Sequence, residues 1–351
     1  MQYLSNTLKA HQEDIRREIH VTISDANSLI RQIHQLNEQI LRLEPHGMLP
    51  NDLYDDRDRL IDELSNLMNI QVTYHRSSDS APDIANGLVT ITLVDEAGKE
   101  IGNPPIKLID GEAEDPSERY HEILVNQNVT NMEIAGHDGL AIFNQMGQNG
   151  SIHALLHTYG YEANGVVVEG EYPSMLATLN ELATAFAMAF NEQHAAGIDL
   201  DGEQGIDFFV FDDADPASSI TVNEEILEDP NKIAAGAVGA GSRNGDNATQ
   251  LSLLFDQPLE GLHGESVRDY FASAIGRLGV RAQEANRMSY NADTLRSQVD
   301  EQRLSVSGVS LDEEMANMIK FQHAYNAAAR NMTVIDEMLD RIINGMGLVG
   351  R

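Results

Sequence analysis

The sequence predicts an α+β fold: an elongated antiparallel helical bundle with an inserted, mostly β domain and a C-terminal helix. Apolar residues repeat at heptad spacing near both ends of the chain, and a stretch between them alternates with period two. The expected domains are residues 1–70, a helical hairpin of the bundle; 71–170, the inserted β domain; 171–306, the rest of the bundle with a short β-hairpin; and 307–351, the terminal helix.

Residues 1–43 predict one long helix. One column of its stripe is Leu8, Ile15, Thr22, Leu29, Leu36 and Leu43, and the companion column is Ile19, Ala26, Ile33 and Ile40. We expect residues 44–47, which contain Pro45 and Gly47, to end this helix. Asn51 or Asp52 then caps a shorter helix with an inward face of Leu53, Leu60, Ile61, Leu64 and Leu67.

The middle of the chain predicts strands. Residues 71–74 and 88–94 alternate with period two, residues 120–125 form a further candidate strand, and residues 132–143 predict a hairpin that turns at 137–139. A helix is expected from Tyr172, followed by short strands at 208–211 and 219–222 and a short helix near 248–255. A third heptad stripe runs from 266 to about 302, and a single charged residue, Arg281, interrupts it.

The terminal helix has the most regular stripe. Ser310 and Glu313 form a capping-box start signal, and Gly345 and Gly347 supply the stop. The candidate binding residues on the stripe are Leu311, Met318, Phe321, Tyr325, Met332, Ile335, Leu339, Ile342 and Met346. Because an isolated helix of this kind is marginal in water, we expect its own bundle or a neighbouring chain to hold it.

Composition excludes several classes of function. The 351 residues include 56 Asp and Glu against 23 Lys and Arg, so a net charge of −33 disfavours binding to nucleic acid or to an anionic membrane surface. The chain has no cysteine, which removes disulfides and thiolate metal sites. It contains no run of eighteen apolar residues and no signal-peptide pattern.

Three motifs suggest metal or phosphate chemistry, and each lacks a necessary part. Residues 197–207 resemble a calcium loop but have Gln204 and Val210 where an EF-hand starting at Asp199 needs Gly and Glu. His153 and His157 have the spacing of a zinc-binding pair, but the Glu of a HExxH motif is missing. Residues 236–241 resemble a phosphate loop without its Lys-Ser/Thr end, and we interpret them as a flexible turn. We therefore predict no catalytic residue, no metal and no cofactor.

Four stretches resemble the flagellar hook-associated protein 1 (FlgK) family of bacterial axial proteins. They are Ser307–Gly347, Asn51–Val72, Leu179–Phe209 and Asp229–Gly236, and they occur in the family's order. The first is shared in looser form with hook and rod proteins, and the others indicate the junction protein. Members of the family begin with a segment of about a hundred residues that pairs with the terminal helix, so we expect that segment to be missing here.

The resemblance implies a structural protein that connects the flagellar hook to the filament after type III export from the cytoplasm. Its implied partners are copies of itself, hook protein, hook-associated protein 3 and an export chaperone, and the terminal stripe would serve axial packing and chaperone binding. Two alternatives stay open: another axial protein, such as hook-associated protein 3 or a flagellin-like protein, or an extracellular enzyme with its active site in the β insert.

Overall fold

The computed structural model describes residues 1–136, 143, 145–147, 149–163, 167–240, 244–308 and 310–345. The α+β class is confirmed, because long helices are combined with small antiparallel sheets. The contacts divide the chain into two units, residues 1–274 and residues 275–351. The division into four domains at 70, 170 and 306 stays a prediction.

The helices are named in chain order. They are α1 (Gln2–Leu43), α2 (Asn51–Leu67), α3 (Ser151–Tyr159), α4 (Glu171–Ala195), α5 (Pro216–Ser219), α6 (Glu224–Glu228), α7 (Asp246–Leu253), α8 (Val267–Ser307) and α9 (Leu311–Gly345). Helix α8 continues across the limit between the two units. Within the described part of the chain, no helix is both long enough and apolar enough to cross a membrane.

The strands form small antiparallel sheets. They are β1 (Ile70–His75), β2 (Leu88–Leu93), β3 (Lys107–Ile109), β4 (Ile123–Val125), β5 (Met132–Ile134), β6 (Tyr161–Ala163), β7 (Val167–Glu169), β8 (Gly197–Ile198), β9 (Phe209–Val210), β10 (Thr221–Val222) and β11 (Gly236–Ala237). The order β1-β2-β3 makes a three-stranded sheet, and the pairs are β4 with β5, β6 with β7, β9 with β10, and β8 with β11.

Helix α1 is the central element of the first unit. Its buried stripe consists of Ile19, Ile23, Ala26, Ile30, Ile33, Asn37 and Ile40, which repeat at spacings of four and three. The predicted column from Ile19 to Ile40 is therefore the buried one. The predicted partner column through Leu29 and Leu36 is only half-buried, because Ile23, Ile30 and Asn37 lie closer to the centre of the contact.

The polar residue in this stripe, Asn37, bonds to the backbone of strand β2. Among the described residues, β3 pairs with β2 near Ile91 and Thr92 and does not extend to Val89. There the Asn37 amide donates to the Val89 carbonyl at 2.9 Å and its oxygen accepts the Val89 N–H at 3.2 Å. One buried side chain thus satisfies two backbone groups that would otherwise lack partners.

The end of α1 lies where it was predicted, and the start of α2 does not. Residues 44–47 end α1 as predicted, through a 3-10 turn at residues 44–46 and Gly47 in the left-handed conformation, with φ 77°. The predicted cap of α2 is wrong, because Pro50 is the N-cap residue and Asn51 is already helical. The carbonyl of Pro50 accepts the N–H groups of Leu53 and Tyr54, so the backbone itself begins the helix.

One prediction about strands needs correction and another stays open. Met132–Ile134 pairs with Ile123–Val125, which precedes it in the chain. The predicted turn at 137–139 lies outside the described residues, so the hairpin over 132–143 stays a prediction. Residues 236 and 237 are not a flexible turn, because they form β11 against β8. Strand pairing depends on residues distant in sequence, which local patterns do not identify.

The two largest apolar clusters of the described residues form most of the core of the first unit. The larger joins α1, α2, the three-stranded sheet, β4, β5 and α3 around residues such as Ile30, Leu64, Ile91 and Ile152. The second joins α4, α7 and the first turn of α8, including Leu182, Leu251 and Val267. The strands of the middle region therefore share one core with the helices before them.

Candidate assembly surface

Helix α9 begins and continues for local reasons. The Ser310 hydroxyl oxygen accepts the N–H of Glu313 at 3.4 Å, and the Ser310 carbonyl accepts the N–H of Glu314 at 3.0 Å. Three acidic residues, Asp312, Glu313 and Glu314, lie in the first turn, where the helix dipole favours negative charge. With no proline inside it, the helix runs for 35 residues, about 52 Å.

The apolar stripe of α9 is uncovered along its length. The exposed fraction of its large side chains ranges from 49% at Leu339 to 81% at Leu311. We call the following residues the α9 stripe: Leu311, Met318, Phe321, Tyr325, Met332, Ile335, Leu339 and Ile342. The structure places them on one face of a single helix, and the predicted ninth member, Met346, lies outside the described residues.

The predicted stripe is narrower than the apolar surface that α9 presents. Exposed apolar side chains beside it are Met315, Ile319, Val334, Met338 and Ile343. Residues 315 and 319, and again 334 and 338, are four apart, so each pair lies together on the helix surface. This spacing of four between apolar residues is visible in the sequence, but a single heptad stripe does not include it.

Helix α8 carries a second uncovered stripe. One side of its first turn is buried, because Val267 and Tyr270 pack in the second apolar cluster. The Tyr270 hydroxyl donates to the Glu181 carboxylate at 2.5 Å. From residue 275 to residue 306 every side chain is exposed. The apolar ones on the predicted stripe include Leu278, Met288, Leu295 and Val299. Residues 275–345, called here the terminal helices, thus have two unburied apolar faces.

Charge distinguishes the terminal helices from the rest. The terminal helices, residues 275–345, contain eight Lys and Arg and ten Asp and Glu, so almost all of the net charge of −33 lies in residues 1–274. Copies of the terminal helices can approach one another with little net repulsion, whereas copies of the first unit repel. An apolar and nearly neutral surface on a strongly acidic protein is suited to binding other proteins.

The motifs with metal-like spacing have structural roles. Asp199 is buried, and its carboxylate accepts the N–H groups of Asp201 and Glu203 at 2.9 and 2.8 Å, which makes it the organiser of a tight turn. His153 and His157 stack in an aromatic column with ring centroids 6.2 Å apart. Across the described ranges, no three His, Asp or Glu side chains are arranged to hold a metal ion.

A cleft of about 200 Å³ near the three-stranded sheet is where the enzyme alternative would place catalysis. Three of its four acids are engaged in ion pairs: Glu38 with Arg119 at 2.5 Å, Asp110 with Lys107 at 2.7 Å, and Glu112 with His75 at 3.0 Å. Burial lowers the pKa of His34 in its wall. These pairs tie β3 and the loop after it to α1 and β1.

Sequence reasoning missed a buried polar cluster at the end of α1. Arg57 is completely buried and donates to the Gly87 carbonyl at 2.6 Å, while the Gly87 N–H donates to the buried Glu44 carboxylate at 3.0 Å. Burial, with a hydrogen bond to Glu44, raises the pKa of Tyr54 to about 12, and burial lowers the pKa of Arg57. The cluster therefore attaches the loop between β1 and β2, through Gly87, to α2 and to the end of α1.

Sequence comparisons identify the family. The model described as "Flagellar hook-associated protein FlgK helical domain" matches residues 1–209, and "Flagellar basal body rod FlgEFG protein C-terminal" matches residues 300–345. The flagellar hook-associated protein 1 of Bacillus subtilis is 40% identical over 361 residues, covering 99% of this chain and 69% of that protein. The chain belongs to the flagellar hook-associated protein 1 (FlgK) family.

The chain is also similar to more distant proteins that carry the same name. The flagellar hook-associated protein 1 of Escherichia coli is 24% identical over 421 residues, covering 96% of this chain and 72% of that protein. The solved structure of the flagellar hook junction protein FlgK from Burkholderia pseudomallei is 22% identical, covers 60% of this chain and 34% of that one, and has a TM-score of 0.43. At that score the structural likeness carries no argument, and the assignment rests on sequence.

Membership of the FlgK family establishes the general role of the chain. It is a structural component of the bacterial flagellum, it takes part in motility, and it associates with other flagellar proteins. The predicted family is therefore confirmed. The second family model covers the end of α8 and all of α9, so the terminal helices include a region similar to the rod proteins named in that model.

Proposed function

We propose that this chain joins the flagellar hook to the filament, and that it assembles with copies of itself and with neighbouring axial proteins through the α9 stripe. The observation that carries the proposal is the exposure of that stripe, with Phe321 69% and Tyr325 76% exposed. Large apolar side chains in such a row are stabilised when other helices cover them, at roughly 1.5–3 kcal/mol each.

The partners follow from the same surface. Hook protein lies on one side of the junction, hook-associated protein 3 lies on the other, and a chaperone covers the α9 stripe in the cytoplasm before type III export. An exposed apolar face of this size needs such protection, because it promotes premature association. The near neutrality of the terminal helices supports contacts between copies there rather than between the acidic first units.

The test is a cell that carries Ile335→Asp together with Leu339→Asp. Two carboxylates in the middle of the stripe would have to be buried without partners, so filament attachment and swimming should be lost. Export is measured in parallel as the amount of the protein in the culture medium. If the variant is exported but filaments do not attach, the stripe is needed for assembly. If export is lost as well, the stripe is also needed for a step before export, such as chaperone binding.

The matched control is Asn326→Asp together with Thr333→Asp. These changes add the same two charges to α9 on positions outside the stripe, and they leave its apolar residues unchanged. Cells with this variant should swim normally. Normal filament attachment in the Ile335 and Leu339 variant would count against the proposal.

A further inference from the structure

We propose that the connection between β3 and β4, residues 110–122, is an acid-sensitive strap. While His34 of α1 is neutral, the far end of the strap, residues 119–122, lies closed on α1. When His34 takes up a proton, that end opens and uncovers the cleft of about 200 Å³ beside the three-stranded sheet. The inference concerns the first unit and does not depend on the proposed role of the α9 stripe.

The first argument is a row of four contacts that joins α1 to the far end of the strap and the start of β4. On α1 the four residues follow one another at spacings of four, three and four, so they share one side of the helix. Their partners run along the chain in the opposite direction. The pairs are Asn27 with Ile123, Arg31 with Glu122, His34 with Tyr120, and Glu38 with Arg119.

The contacts in this row differ in their response to acid. The Asn27 amide donates to the Ile123 carbonyl at 2.9 Å and accepts the Ile123 N–H at 2.7 Å, and neither group titrates. The two ion pairs join arginine to glutamate, which ordinarily keep their charges between pH 5 and 8. The His34 ring stacks on Tyr120 with ring centroids 4.7 Å apart. An imidazole ordinarily changes its charge in that range, so His34 is the contact that acid can alter.

The surroundings of His34 oppose a proton on its ring. The charged groups that act on it are Glu38, on its own helix, and Arg119, on the strap. Burial lowers the pKa of His34, Glu38 raises it to a smaller extent, and Arg119 lowers it again. The closed strap therefore favours the neutral ring. The other acids that line the cleft are Asp110, Glu112 and Glu114.

A proton on His34 weakens the contact that closes the far end. The Glu38 carboxylate pairs with Arg119 at 2.5 Å, and the Arg119 Nε–H donates to the Ala113 carbonyl at 3.1 Å. His34 and Glu38 are four residues apart on α1, so a charged His34 competes with Arg119 for the same carboxylate. It also repels the Arg119 guanidinium. Opening the strap relieves both effects, because it lets water reach the charged ring.

The near end of the strap is held by contacts that mild acid does not weaken. The Gly111 N–H donates to the Thr90 hydroxyl oxygen at 3.0 Å, and neither group titrates. Glu112 lies 3.0 Å from the His75 ring, and this contact is an ion pair only when the ring is charged. Acid therefore strengthens the contact of Glu112. The strap should pivot about its near end, and the sheet should stay intact.

The test is hydrogen exchange of the purified chain at pH 7.5, 6.5 and 5.5, resolved to single amides by mass spectrometry. Each rate is divided by that of an unstructured peptide at the same pH. The reporters are the His121 N–H, which donates to the Leu108 carbonyl at 2.9 Å, and the Asp110 N–H, which donates to the Arg119 carbonyl at 3.0 Å. Their corrected exchange should rise with acid, by at most about tenfold per pH unit, the limit for one proton.

Two amides of the same region serve as internal controls. The Ile123 N–H, bonded to Asn27, and the Gly111 N–H, bonded to Thr90, should keep their protection at all three pH values. An equal loss at Ile123 would show general unfolding of the region and would overturn the proposal. Constant protection of the His121 N–H across the series would overturn it as well.

The variant His34→Phe keeps an aromatic ring against Tyr120 and cannot take up a proton. Its His121 amide should be protected within about twofold of the unchanged chain at pH 7.5 and should show no rise in exchange at pH 5.5. The matched control is His20→Phe, the same change at an exposed position of the same helix, which should keep the full response to acid. A full response in His34→Phe would assign the effect to another group.

A second variant tests the closing contact without changing His34. Glu38→Gln removes the carboxylate that pairs with Arg119, so the His121 amide should exchange at least fivefold faster already at pH 7.5. Unchanged protection in Glu38→Gln would show that the row of contacts on α1 does not hold the strap.

Discussion

Helices α1 and α9 carry the same kind of sequence and have opposite surroundings. Both have apolar residues at alternating spacings of three and four. In α1 the residues Ile30 and Ile33 are fully buried, whereas in α9 Met318 and Met332 are 65% and 69% exposed. The comparison shows that a heptad pattern specifies a helix and its apolar side, but does not specify what covers that side.

The difference lies in what the rest of the chain supplies. Around α1 the chain provides α2, α3 and a β-sheet, and their apolar faces complete one cluster. The described residues of α9 belong to none of the apolar clusters. Contacts within the chain therefore stabilise α1, whereas no such cluster covers the described part of α9.

The largest effect expected on folding comes from truncating the α1 stripe. Ile30→Ala should lower the free energy of unfolding by about 2–5 kcal/mol, because it leaves a cavity in the main cluster. Ile335→Ala, the matched change on α9, should lower it by less than about 0.5 kcal/mol in the isolated chain. Urea denaturation followed by circular dichroism measures both, and similar losses would remove the distinction between the helices.

The second effect concerns a glycine within the first unit. Gly87 has φ 74°, and an added Cβ would lie 2.0 Å from the His75 carbonyl oxygen. Gly87→Ala should therefore destabilise the protein by about 3 kcal/mol and disturb the contact with buried Arg57. Gly98→Ala is the control, with a similar φ of 78° and no neighbour within 4 Å. It should cost about 1–2 kcal/mol, and equal losses would mean that the close approach to His75 is unimportant.

A smaller effect is expected from acid. Burial, with the nearby His157, lowers the pKa of His153, so the folded state favours the neutral ring. Stability from this group is complete above the unfolded pKa of about 6.5 and falls as the pH drops toward the folded pKa. His153→Gln should flatten this part of the pH profile of unfolding. A profile that keeps its slope would assign the acid sensitivity to another group.

The smallest expected effect on folding comes from the variant that should abolish attachment in the cell. Ile335→Asp with Leu339→Asp should change the free energy of unfolding of the first unit by less than about 0.5 kcal/mol, because both side chains are already in water. Thermal unfolding of the purified chain checks this. A large loss of stability would mean that the α9 stripe contributes to the fold of its own chain.

The predictions succeeded where the signal was local. The helix limits near Leu43 and Gly47, the strands at 70–75 and 88–93, and the hairpin of β9 and β10 follow from periodicity and turn residues. The predicted stripe of α9 also lies on one helix face, although its role as a binding surface stays a proposal. Local patterns could not identify the partner of β5, the strand at 236–237, or the buried pair of Glu44 and Arg57.

The sequence by itself determined the long helices, their apolar sides, the acidic character of the chain and its family, because each depends on neighbouring residues or on composition. Only the tertiary structure decided which apolar sides are covered within the chain. It also placed the Asn37 amide against the backbone of β2, and it placed the Gly87 backbone where Arg57 and Glu44 both bond to it. The physical reason is that burial is a property of contacts between distant segments, and two similar stripes can meet very different surroundings.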